Sequence, residues 1–151
     1  MNELKTKVYQ AALTLLKEKN RLLNEERSAM LDGILEETKS SAGDKFETSR
    51  EMMTQDLMTL ELQIKQSKVD LDEIQRLQAI KETAPSVQEG SMVKLGSDWF
   101  MLAVSLGQIN VEDKKVYLLS KNSPLGQLIL GKKKNDQVNF RGKNHPIEEI
   151  I

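Results

Sequence analysis

A chain of 151 residues has room for one ordinary domain, or for a small domain carrying an extended appendage. It holds no cysteine and a single histidine, His145, which excludes disulfides, thiolate zinc sites and histidine-rich metal centres. The net charge of -1 gives no ground for general nucleic-acid affinity, and no direct sequence-specific DNA binding is expected.

No apolar run approaches the ~20 residues needed to cross a bilayer. The N-terminus is charged from Glu3 onward and does not read as a signal peptide, so a soluble, cytoplasmic chain without membrane association is expected.

In the first half the apolar residues recur at helical spacing. Leu4, Val8, Ala11, Leu15 and Leu22 keep a heptad-like rhythm, and Met30, Leu31, Ile34 and Leu35 widen the stripe. That pattern predicts a helix over residues 4–39, about 54 Å long at a rise of ~1.5 Å per residue. Next comes Ser40-Ser41-Ala42-Gly43-Asp44, a cluster of turn formers. Then Met53, Leu57, Leu60, Ile64, Leu71 and Ile74 fall in a 4-3-4 rhythm interrupted at Ser67, predicting a second helix over 45–82. The matched lengths favour two arms folded back on each other; one continuous coiled coil is the alternative. Leu16 and Leu23 are expected to be exposed beside the seam.

Pro85 and the end of the heptads by Ile80 mark a boundary. Beyond it Met92–Leu95, Trp99–Val104, Val116–Leu119, Gln137–Phe140 and Ile147–Ile151 read as short strands punctuated by Gly90, Gly96 and Gly107. Between the third and fourth strands, Ser123 suits an N-cap, Pro124 the first helical position and Gly131 a left-handed C-cap. The whole predicts an α+β chain. An N-terminal antiparallel coiled-coil hairpin over 1–82, its tip near 40–47, precedes a small antiparallel-sheet domain with one short helix over 87–151.

Charge is distributed unevenly. Residues 1–82 carry 13 Lys/Arg and 16 Asp/Glu, and 83–151 carry 9 and 7. Lys5, Lys7, Lys17, Lys19, Arg21 and Arg27 load the early helix, whereas Asp32, Glu36, Glu37, Asp44, Glu47 and Glu51 surround the turn. Either this is a solvated surface of mixed charge, or the hairpin has one acidic end.

The segment Ser123-Pro124-Leu125-Gly126-Gln127-Leu128-Ile129-Leu130-Gly131-Lys132, followed by Asp136-Gln137-Val138, resembles the C-terminal signature of the Gre family of bacterial transcript cleavage factors. Val87 with Gly90-Ser91-Met92-Val93 is similar to the opening of the same domain, which implies an FKBP-like fold. The hairpin ahead of it also matches the family's layout. At the turn, Gly43-Asp44-Lys45-Phe46-Glu47 has the Gly-Asp-x-x-Glu spacing of the family's acidic tip, although Thr48-Ser49-Arg50-Glu51 stands where an Asn-Ala-Glu-Tyr stretch is usual.

The resemblance implies a transcription elongation factor that inserts its hairpin into the secondary channel of RNA polymerase. There it would stimulate cleavage of backtracked RNA, with Asp44 and Glu47 sharing a polymerase-bound Mg²⁺. Hard oxygen ligands suit that ion, and two-metal phosphodiester chemistry needs it held in place. The factor would be no enzyme by itself and would carry no cofactor of its own, the Mg²⁺ being supplied at the polymerase active site.

Other readings stand beside this one. Asp44 as N-cap with Glu47 at the third helical position is a capping-box arrangement that can simply stabilise the second helix. Phe46 can pack at the hairpin end or contact substrate. The early lysines either face RNA phosphates or are solvated, and Lys132-Lys133-Lys134 either complements a helix dipole or contacts nucleic acid. Trp99 and Phe100 are expected to divide between core and surface. Functional alternatives are a channel-binding regulator that does not stimulate cleavage, and a coiled-coil adaptor with no polymerase role. Prolyl isomerase activity follows only from fold analogy and is disfavoured by the four aromatics of this half, Trp99, Phe100, Tyr117 and Phe140.

Overall fold

The computed structural model describes the backbone of residues 2–39 and 43–151, and the side chains of residues 2–36 and 48–151. Two long helices come first, α1 (Glu3–Lys39) and α2 (Gly43–Gln78). They are followed by strands β1 (Met92–Leu95), β2 (Asp98–Leu102), β3 (Gly107–Val111) and β4 (Lys114–Leu119), helix α3 (Pro124–Ile129), and strands β5 (Gln137–Phe140) and β6 (Lys143–Ile150). An N-terminal helical hairpin and a following α+β sheet domain are therefore both present. The chain divides into two compact units, Met1–Thr14 with Asp72–Ile151, and Leu15–Leu71. The ends of both long helices thus group with the sheet.

Within Leu15–Leu71 the helices run antiparallel. Arg27 pairs with Glu61 across them at 3.3 Å, and further along Glu26, Ala29, Met30 and Gly33 share a groove with Met53 and Asp56. Leu60 and Ile64 are buried in the seam of α2 as the heptads predict, with Met53, Leu57 and Leu71 half-buried. Helix α1 is rotated from its expected register. Leu15 and Leu22 are 48% and 50% exposed, whereas Leu16, expected outside the seam, is 0% exposed and Leu23 is half-buried. The adjacent pairs Leu15-Leu16 and Leu22-Leu23 satisfy the same period, and one residue of shift turns a helix face by about 100°. The buried run Val8, Ala12, Leu16 selects the second member of each pair. Ser67, which interrupts the α2 heptads, is buried with its hydroxyl lacking a hydrogen-bond partner among the described residues, at a cost of about 1–3 kcal/mol.

The sheet has the order β3-β4-β2-β1-β6-β5. Neighbours are antiparallel except β2 and β4, which pair in parallel from Trp99↔Val116 to Leu102↔Leu119. Strand β3 was not anticipated, because Gly107, Gln108 and Asn110 leave only Ile109 and Val111 as apolar markers. It nevertheless pairs with β4 along its whole length through a turn at Glu112-Asp113, both at positive φ as a type I′ turn requires.

Trp99 and Phe100 are both buried, at 6% and 4% exposure, so they do not divide between core and surface. Successive strand residues point to opposite faces, and this sheet is covered on both. One face joins Val93, Phe100, Leu102 and Ile147 to Val87, Ile129 and Val138, with Phe100 stacked on Tyr117 (5.2 Å) and edge-on to Phe140 (5.6 Å). On the other face Met92, Trp99, Met101, Val116 and Leu118 are buried. In the same unit Leu4, Val8, Tyr9 and Ala12 of α1 and Ile74 and Leu77 of α2 are buried, and supply its cover.

Candidate functional site

The Ser-Pro-Leu-Gly segment forms a self-contained helix start. Ser123 has extended backbone (φ -68°, ψ 157°) and its Oγ accepts from Gly126 N at 3.0 Å, the N-cap bond that satisfies one of the free amides of a helix start. The same hydroxyl donates to the Ser120 carbonyl at 2.6 Å, and Pro124 occupies the first turn. Gly131 follows the helix with φ +82°, as the sequence predicts for a left-handed cap. The Ser-Pro-Leu-Gly residues thus fix a local fold.

The helix ends are tied to the sheet by contacts that no short-range pattern could reveal. Tyr9 is buried and its hydroxyl donates to the Gly90 carbonyl at 3.3 Å. Lys7 pairs with Glu112 in the β3–β4 turn. Arg76 bridges Glu73 and Glu89, and Glu89 also receives Lys121 from the loop before α3. Lys121 and then Arg76 hold the Glu89 carboxyl below the usual carboxylate range. Lys5 is buried beside Tyr9, and loss of water pushes its ammonium pKa down.

Burial pushes the Tyr9 phenol up from 10.0 to about 12. The neutral phenol is favoured in the folded chain, so its contribution is intact below the unfolded value and is lost as pH rises toward the folded one. Tyr9→Phe should flatten the alkaline loss of stability between pH 10.0 and about 12. At neutral pH it should cost about 1 kcal/mol for the hydrogen bond to Gly90. Urea denaturation across pH measures both, and parallel alkaline losses in variant and wild type would assign the effect to another group.

Asp44 and Glu47 fall among the first five residues of α2, with Asp44 one residue and Glu47 four residues after Gly43. Their side chains, with that of Phe46, lie outside the described residues. Because α2 starts at Gly43, two residues before the expected start, Asp44 stands inside the helix and not at the cap. The early cations are largely engaged at home. Arg21 binds Glu18 and Glu25, Arg27 binds Glu61 and Lys7 binds Glu112, while Lys17 and Lys19 are exposed.

Sequence reasoning did not find the groove of Glu26, Ala29, Met30, Gly33, Met53 and Asp56, an open space of about 380 Å³ between the helices. Its signal was Gly33, the one glycine in α1, where an added Cβ would meet nothing within 4 Å. Among the described residues no group of three or more His, Cys, Asp or Glu could hold a metal ion, and no helix is long and apolar enough to cross a membrane.

No family model matches the sequence, and no curated protein does either. Among solved structures the chain is similar to the GreA factor homolog 1 protein of Thermus thermophilus, with 14% identity, 95% of this chain and 94% of that chain covered, and a TM-score of 0.33.

Proposed function

We propose that this chain is a Gre-like accessory factor of RNA polymerase, which docks through its sheet-bearing unit and presents Asp44 and Glu47 to the polymerase secondary channel. The observation that carries this reading is the near-equal length of α1 and α2, 37 and 36 residues, with Asp44 and Glu47 among the first five residues of α2. Both carboxylates then belong to the closed end of the hairpin. The Ser-Pro-Leu-Gly helix start supports the same family layout.

Two carboxylates are too few for a resident divalent site, and fit an ion whose other ligands come from polymerase and phosphate. Mg²⁺ held there supplies Lewis-acid stabilisation to the scissile phosphodiester. The task of Asp44 and Glu47 is to keep that ion in place and to accept a hydrogen bond from the attacking water. The chain completes another protein's active site and turns over nothing alone.

The test is transcript cleavage by stalled, backtracked polymerase from the same organism. Wild type should shorten the RNA, while Asp44→Ala and Glu47→Ala should bind polymerase unchanged and cut cleavage on the order of tenfold or more. Thr48-Ser49-Arg50, in place of the family's usual continuation, favours a second reading in which the chain docks without stimulating cleavage. Binding without cleavage by wild type would select that regulator. No binding to polymerase would overturn both readings and leave the adaptor.

A further inference from the structure

Five cations lie within twelve residues of the sheet unit: Lys132, Lys133, Lys134, Arg141 and Lys143. The one acid among them, Asp136, accepts from the Lys133 amide at 2.8 Å. None of the five belongs to an ion pair among the described residues, in contrast to Lys7, Arg21, Arg27, Arg76, Lys94 and Lys121. The helix dipole does not account for the three lysines. Helix α3 ends at Ile129 with no basic residue in its last turn, and Lys132 follows the Gly131 cap. Dipole stabilisation fades beyond the final turn.

The fold sets these charges around one exposed edge. Strand β5 closes the sheet, hydrogen-bonded to β6 alone. The lysine turn enters β5 at Gln137, and Arg141 and Lys143 follow its other end at Phe140. The two basic groups are thus separated by a four-residue strand, about 13 Å at the usual rise. Between them Gln137 and Asn139 are exposed, with Asn144 opposite Asn139. At the turn the Arg141 guanidinium lies over the half-buried Phe140 ring, 4.8 Å from its centroid. The acids of β6, Glu148 and Glu149, are at its far end, where Glu148 pairs with Lys94.

We propose that the β5–β6 edge hairpin is a binding surface for single-stranded nucleic acid, with Lys132, Lys133, Lys134, Arg141 and Lys143 on phosphates and the Phe140–Arg141 pair as a stacking platform. Unpaired cations that flank an aromatic ring are the combination such strands use, because backbone charge and base faces are recognised together. An acidic protein segment would use the charges but has no need of the ring. The surface uses neither Asp44 nor Glu47, so this inference stands or falls independently of the polymerase reading.

The full chain is titrated against labelled oligouridine and oligothymidine of about 12 nucleotides by fluorescence anisotropy at about 50 mM salt and above. Binding should weaken with salt at a logarithmic slope of about -3.5, as expected for five phosphates on a single strand. Replacing Lys132, Lys133 and Lys134 together by Gln should weaken binding at least about tenfold and reduce the slope by about 2. Phe140→Leu, which keeps an apolar side chain on the core, should weaken it about fivefold or more through lost stacking. Unchanged thermal melts confirm that the variants fold. Equal binding of the two oligomers supports phosphate and stacking as the basis, and preference for one adds a contact to the sugar hydroxyl or the base methyl while supporting the same surface. Absence of binding, or a salt slope indifferent to the lysine substitutions, overturns the proposal. Competition by polyglutamate equal to that by oligouridine, with Phe140→Leu neutral, would overturn it in favour of an acidic protein partner.

Discussion

Gly126→Ala should destabilise the chain by about 3 kcal/mol, the upper part of the range for overpacking a site that cannot relax. A Cβ at this position would lie 2.1 Å from the Ser120 carbonyl oxygen, 2.8 Å from Ser123 Oγ and 3.1 Å from Lys121 Cα. Two of these are backbone atoms, so no rotamer change relieves the contact. The Ser120 carbonyl is also pinned, accepting from both the amide and the hydroxyl of Ser123. Moving it aside would break the bonds that start α3, whose Ile129 is buried in the core beneath. In a chain of this size the melting temperature should fall by about 6–12 °C. Ser123→Ala, which removes the cap without a clash, should cost only about 1 kcal/mol. Thermal denaturation followed by circular dichroism ranks the two. Equal melting temperatures for Gly126→Ala and wild type would mean that the 120–123 loop yields, and that the glycine has some other reason to be there.

This steric requirement bears on how the sequence should be read. Ser123, Pro124, Gly126 and Gly131 were legible because each has a local job whose chemistry shows in the residue type. The same locality limits what they say about function, since a helix start can be kept for the fold alone. Strands β1 and β5 were legible at their exact ends because glycines or charged turns bracket a short apolar segment in β1 and an alternating polar–apolar one in β5. Strand β3 was not, since Gly-Gln-Ile-Asn-Val is held by its pairing with β4 and by the Glu112-Asp113 turn. The parallel pairing of β2 with β4 lies beyond any local pattern, because it depends on which strand the chain passes on its way to the sheet edge. Likewise Tyr9 and Gly90 are 81 positions apart, and Arg76, Glu89 and Lys121 come from three separate segments. The Asp44 and Glu47 pair was legible as spacing; its place among the first five residues of α2 came only with the helix bounds.

The hairpin register offers the sharpest separation between sequence pattern and structure. Leu16→Ala should cost about 3 kcal/mol, because a fully buried leucine loses both its transfer energy and the filling of its cavity. Leu15→Ala, half exposed, should change stability by no more than about 0.5 kcal/mol. The two substitutions are chemically identical and adjacent in the chain, so helix propensity and unfolded-state effects largely cancel between them. What remains is the direction each side chain faces. Urea denaturation of both variants therefore reports the rotation of α1 about its own axis. The opposite ranking would return Leu15 and Leu22 to the seam, the register that the heptad rhythm alone favours. It would also carry Arg27 away from Glu61, since both depend on the same rotation of the same helix. A large loss at Leu16 with little at Leu15 fixes which face of α1 is closed against α2. It leaves Leu15 and Leu22 on the face that a partner can reach.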